Sequence, residues 1–291
     1  SFDVARVLWL LLTIVAFFVA CVLILYPLRS PKEFIWFVLL AIFPSTIVNF
    51  TMGQFSILSL CLMLLLAKAG NQIPYWIKGL IIALLFSKPQ LIIFSAPVFI
   101  FHFLRENGVK ATLYQIGWII IWILISSLPI FITDPKWIYQ LIDNVKENTS
   151  WLQPNLFSLL VQQYDITPLI SIPLLSMGLW YCIRYSIRHN IYDSIILSMA
   201  ITTLLSPFIW SWDFVLLFPL LVNSYRINHS TVIKLIIKAG YIAITVVFIT
   251  LKIIGYSSDE LFIWVAPSTL VLLLLANTLQ NKLYPFSKRF P

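Results

Sequence analysis

Between Gly79 and Leu104 the chain carries one charge, Lys88, within Ser87-Lys88-Pro89-Gln90. An ammonium at bilayer depth costs roughly 2.5 to 3.5 kcal/mol on insertion scales, so such a residue normally faces a polar cavity, a partner charge or a substrate. Pro89 suits the first position of a helix, where its missing N–H costs nothing, and the spacing predicts a helix from Pro89 onward with Lys88 at its N-terminus. Free backbone N–H groups and the helix dipole make that place an anion site, and phosphate is the simplest ligand. Two further stretches carry usable chemistry: the uncharged break Gly53-Gln54, and Trp210-Ser211-Trp212-Asp213. Phosphate wants the cation, sugar hydroxyls want amides and carboxylates, and apolar sugar faces pack on aromatic rings. Lys88 and Asp213, with Gln54, Gln90, Trp210 and Trp212 as contacts, therefore suit a lipid-linked phosphosugar.

Each of these residues also has a plainer role. Lys88 can snorkel to the interface. Asp213 can cap a helix starting at Phe214, the two indoles can anchor at the interface, and Gly53-Gln54 can be a simple turn. The amides of the long polar segment, Gln153, Asn155, Gln162 and Gln163, read as solvated. His102, His189 and His229 fall at the opposite membrane face, so a divalent metal has no support in the sequence and no cofactor is implied. Cys21, Cys61 and Cys182 each sit in an apolar run and read as buried small hydrophobes.

The elements that must hold these residues are membrane helices. Apolar residues make up 60% of the 291-residue chain and charged residues 10%. Mean hydropathy is +0.95, and soluble domains carry roughly 25% charge. The pattern predicts an all-α, polytopic integral membrane protein, a single transmembrane domain over 1–291 with about eleven hydrophobic helices. Its apolar runs are Val7–Leu25, Phe34–Val48, Phe55–Ala67, Ile73–Phe86, Gln90–Leu104, Leu113–Thr133, Pro168–Ile183, Ile191–Leu205, Phe214–Val222, Ile236–Ile254 and Leu261–Ala276. Runs of about 15 residues reach only ~22 Å against a hydrocarbon core near 30 Å, so the tips at Gly53-Gln54 and Lys88-Pro89-Gln90 lie below the surface. Backbone at that depth must be buried in protein or line a wet cavity. The one long polar segment, 134–167, carries Trp137, Ile138, Leu141, Ile142 and Val145 at helical spacing, an interfacial helix.

Alternating the spans puts Arg29, Lys32, Lys68, Lys78, Arg105, Lys110, Arg184, Arg188, Arg226, Lys234, Lys238, Lys282, Lys288 and Arg289 on one side. The other side receives only Arg6, Lys88, Lys136, Lys146 and Lys252. The rule that Lys and Arg gather inside makes the first side cytoplasmic, with the C-terminus there. The long loop, the two tips and the Trp210–Asp213 turn then share the extracytoplasmic face. The net charge of +8 reports topology, with no nucleic-acid partner implied.

Gly53-Gln54 before an apolar helix, Ser87-Lys88-Pro89-Gln90 opening the next, then Leu205-Ser206-Pro207 with Trp210 and Asp213 ahead of Phe214-Val215-Leu216-Leu217, resembles glycosyltransferase family 87. The resemblance implies a GT-C type membrane enzyme in which a hexose, mannose or a relative, passes from a polyprenyl-phosphate donor to a glycan or glycolipid acceptor in the bilayer. It implies Lys88 at the leaving phosphate and Asp213 orienting the sugar or substituting weakly for the catalytic base. It also implies a carboxylate where Ser211 stands, and a first outer loop with the principal aspartate upstream of Ser1. Two other classes fit the same residues: a catalytically silent, lipid-binding fragment or subunit, and a transporter or flippase of a lipid-linked anion.

Overall fold

The computed structural model describes residues 2–27, 31–140, 143, 153–164, 166–228, 230–256 and 258–283. Among the described residues its longer α-helices are α1 (Phe2–Leu25), α2 (Ile35–Ala41), α3 (Pro44–Met52), α4 (Ser56–Ala69), α5 (Tyr75–Leu85), α6 (Ser95–Thr133), α7 (Ser171–Ser186), α8 (Ile191–Leu205), α9 (Phe218–Ile227), α10 (Thr231–Ile254) and α11 (Val265–Leu283). No strand occurs among the described residues. The segments Asp3–Leu25, Ser95–Thr133, Thr231–Ile254 and Asp259–Gln280 are long and apolar enough to cross a membrane. Their outer faces stay apolar, as Leu124 at 61% exposure and Ile253 at 79% illustrate. Large apolar side chains left open in this number mark a lipid-facing surface.

The runs expected at Gln90–Leu104 and Leu113–Thr133 appear within α6, which starts at Ser95 and consists of two helical stretches meeting at a kink where Gly108 takes φ 77° and ψ 175°. Only glycine adopts that backbone without a Cβ clash, so the direction changes while pairing continues on both sides. A second bend, of 56°, separates α2 from α3. Pro44 opens α3, and Phe43 before it is extended (φ −62°, ψ 134°), the conformation a following proline imposes. In the segment expected to carry an interfacial helix, helical backbone starts at Trp137 and is described to Gln140 and at Asp143. Leu141, Ile142, Val145 and Trp151 lie outside the described residues, as do His229 and the tail cations Lys288 and Arg289.

Contacts divide the chain into two compact units, residues 1–61 with 210–291, and residues 62–209. The first has an aromatic core: Trp36 packs on Tyr225 and Tyr241, and Phe43 on Tyr241, Phe218 and Phe248. The carbonyls freed at the bend are satisfied by hydroxyls. Thr46 donates to Leu40 O at 2.7 Å and Tyr241 to Leu39 O at 3.0 Å. Near the end of α1, Arg226 donates to Ile24 O, Leu25 O and Pro27 O and pairs with Glu33 at 2.8 Å.

In the second unit α5 packs on α6 through Gly79, where a Cβ would lie 2.7 Å from Trp118 Cβ. Backbone approach of this kind is how helices associate in lipid. Between α6 and α8, Ser95 meets Ser198 at 2.8 Å and His102 Nε2 meets Ser194 at 3.0 Å. These small polar pairs fix the register of two otherwise apolar helices.

Candidate active site

The second unit carries the Lys88 turn. After α5, the Lys88 N–H donates to Leu85 O at 3.2 Å, and Pro89–Leu91 make a single 3-10 turn. The α-helix proper begins at Ser95, not at Pro89. Proline fits the first position of either helix type, and one 3-10 turn has little dipole to offer, so any anion here must be held by the Lys88 charge itself. Lys88 and Gln90 are both half-buried. The Ser206 hydroxyl donates to Gln90 O at 3.0 Å, which ties the turn to the end of α8.

Next to that tie, part of the polar segment, around Gln153 to Ser158, is internal. Gln153 and Asn155, read as solvated, are 3% and 1% exposed. Asn155 Nδ2 donates to Pro207 O at 3.2 Å, while Asn155 Oδ1 accepts the Ser158 N–H at 2.7 Å. The Gln153 N–H in turn donates to the Ser158 hydroxyl at 2.9 Å. Polarity alone made them look like loop residues, whereas the Asn155 amide satisfies backbone groups at a buried corner and the Gln153 side chain accepts from that amide.

The first unit carries the other candidates. Gly53 ends α3 in the left-handed region (φ 65°), and its carbonyl accepts the Trp9 indole N–H at 2.7 Å. A Cβ there would lie 3.1 Å from Trp9, so both backbone and space ask for glycine. Gln54 follows, half-buried, with its N–H on Asn49 O at 3.1 Å.

Trp210 to Asp213 forms the start of a 3-10 helix, Ser211–Leu217. Asp213 is therefore the third residue of that helix, not its cap, and its carboxylate reaches back to the Trp210 N–H at 2.9 Å. The same carboxylate accepts the Ser56 hydroxyl, and Asp213 has no exposed surface. Ser211 donates from its N–H (2.7 Å) and hydroxyl (2.5 Å) to Asp259, which Lys252 approaches at 3.9 Å. Ser45 donates to Ser211 O at 2.6 Å and Asn49 to Trp212 O at 2.7 Å. Held at all these points, the turn presents Trp210 and Trp212 as a stacked, half-exposed pair, centroids 5.0 Å apart and planes within 9°.

Sequence reasoning missed Ser45, Asn49, Ser56 and Asp259. The available signal was that Ser45 and Ser56 are small polar residues inside apolar runs and Asn49 directly follows one, positions where a membrane helix needs a partner. Among the described residues no group of three or more His, Cys, Asp or Glu could hold a metal ion.

Asp213→Asn should be destabilising by about 1–3 kcal/mol, because an amide keeps one of the two accepted bonds and turns an N–H₂ toward the other donor. Thermal unfolding in detergent, read through indole fluorescence, checks this. An unchanged midpoint and spectrum would remove the turn-holding role.

Gly53-Gln54 and the Lys88 turn both lie within residues 1–207, the region matched by the family model of glycosyltransferase family 87, whereas Trp210–Asp213 lies just beyond it. No curated protein and no solved structure matches the chain. With a family match over most of its length and helices built for a bilayer, the chain belongs to glycosyltransferase family 87 and is a membrane glycosyltransferase.

Proposed function

We propose that this enzyme transfers a hexose, mannose or a close relative, from a polyprenyl-phosphate donor to a glycan or glycolipid acceptor, on the extracytoplasmic face of the plasma membrane. The observation that carries the reading is a half-buried lysine at the turn between two apolar helices, inside the region matched to the family. The acceptor hydroxyl attacks the anomeric carbon, the bond from that carbon to the phosphate oxygen breaks, and polyprenyl phosphate departs. Lys88 stabilises the charge developing on that phosphate, the kind of electrostatic task that usually contributes most in such sites. The hydroxyl proton passes to a general base.

Asp213 serves as a positioning residue in this scheme, since its oxygens are engaged with Trp210 and Ser56. Trp210 and Trp212 offer flat apolar surface to a sugar or isoprenoid, and Gln54 and Gln90 are candidate hydroxyl contacts. The charge distribution supports the orientation, with the Lys88 turn outside and the C-terminus cytoplasmic.

The test is transfer by the full-length enzyme in proteoliposomes supplied with labelled polyprenyl-phosphate mannose, and in parallel with a labelled nucleotide sugar. Label is expected to reach the glycolipid fraction from the lipid donor only. Transfer from the nucleotide sugar alone would overturn the donor class.

A further inference from the structure

At the other end of α5 from Lys88 lies a second buried cation. Lys78, in the first turns of α5, is 5% exposed, and its ammonium sits 5.0 Å from the ring centroids of both Tyr75 and Phe103. Among the described residues it has no hydrogen bond and no carboxylate within ion-pairing distance. Two aromatic faces attract an ammonium but satisfy none of its three donors. A buried charge in that condition calls for a counter-group.

The place for one is present. Lys78 lines a cavity of about 240 Å³ together with Lys68, Asn71, Gln72 and Glu106. Two lysines and one glutamate leave a net single positive charge, which matches the single negative charge of a phosphodiester. A second cavity, of about 280 Å³, adjoins it and is walled almost wholly by apolar side chains, among them Ile82, Ile119 and Ile123. Leu66 and Phe99 line both cavities. A charged compartment opening beside an apolar one, with two shared wall residues, has the chemistry of an amphiphile: phosphate in the first, hydrocarbon in the second.

We propose that residues 62–209 carry a seat for an anionic glycerophospholipid, its phosphodiester between Lys68 and Lys78 and one acyl chain in the apolar cavity. This seat is separate from the donor reading of Lys88 and stands whether or not that reading holds. The lysines supply charge-assisted contacts to phosphate oxygens. Glu106 faces the polar remainder of the headgroup, and the chain replaces solvent or detergent against the isoleucines.

Native mass spectrometry of the purified, delipidated whole protein tests it with three probes: phosphatidylglycerol, diacylglycerol of the same chains, and inorganic phosphate. One phosphatidylglycerol is expected to be retained about tenfold more tightly than diacylglycerol, and an equimolar amount of inorganic phosphate should not displace it. Lys78→Met should lower retention about tenfold, Lys78→Arg should keep most of it, and Ala96→Phe, which fills the apolar cavity, should also reduce it. Equal retention of phosphatidylglycerol and diacylglycerol by the unmodified protein would overturn the proposal without relying on any variant. Displacement by equimolar inorganic phosphate would overturn the lipid as occupant.

Discussion

Lys88→Met should weaken binding of the polyprenyl-phosphate donor and slow sugar transfer by an expected ~2–4 kcal/mol, about 30- to 1,000-fold, as for removal of an oxyanion donor. Methionine keeps the length of the stem and removes the charge. A lysine that only snorkels would be replaced at little cost, or with better insertion. The 3-10 turn behind Lys88 sharpens the expectation, since no long helix stands there to supply a compensating dipole. Lys88→Arg should rescue in part, because a rigid planar fork must fit where a compact ammonium sat. Donor affinity and single-turnover transfer for the three proteins decide the matter, and identical values across them would remove Lys88 from the site.

Arg226→Met is expected to be the most damaging change outside the candidate site, at about 3–5 kcal/mol of stability, since it leaves one partner of a buried ion pair uncompensated. Arg226 and Glu33 have side chains only 9% exposed. The guanidinium also serves three carbonyls at the end of α1, so its loss frees the terminus of the first span as well. Lysine should not substitute, because one ammonium cannot reach that spread of acceptors in the way a planar fork does. Replacing Glu33 together with Arg226 by methionine should recover part of the loss by removing the stranded carboxylate. Unfolding midpoints in a single detergent, with the two single variants and the double, measure the coupling. Additive effects would mean that the pair contributes nothing as a pair.

What was readable in the chain was whatever depends on local contrast. Lys88 stood out because nothing else from Gly79 to Leu104 is charged, and both limits of α8 and the C-terminal ends of α1 and α10 coincide with the ends of apolar runs, while α1 and α10 start five residues earlier. The 3-10 geometry at Pro89 was not readable, because proline fits the start of either helix type. Asp213 was misplaced by a few residues for a related reason: the helix begins at Ser211, whose N–H and hydroxyl bond to Asp259, 48 residues away, a partner that local sequence does not reveal. Charge counting assigned Arg226 to the cytoplasmic side, yet it carries no information on its pairing with Glu33 across 193 residues. It likewise gave Lys78 a sign and a side, but not its burial between two rings.

The lengths of α2 to α5 bear on how the nascent chain enters the bilayer. At 1.5 Å per residue, the 11 residues of α5 cover roughly 16 Å, about half of a ~30 Å hydrocarbon core. A segment that short leaves backbone groups at its ends facing hydrocarbon unless other helices surround them. Its neighbour in the second unit is α6, which lies later in the chain and is long enough to span. Insertion of α5 is therefore expected to depend on α6, so that the turn bearing Lys88 is laid down in lipid only when both of its arms are present.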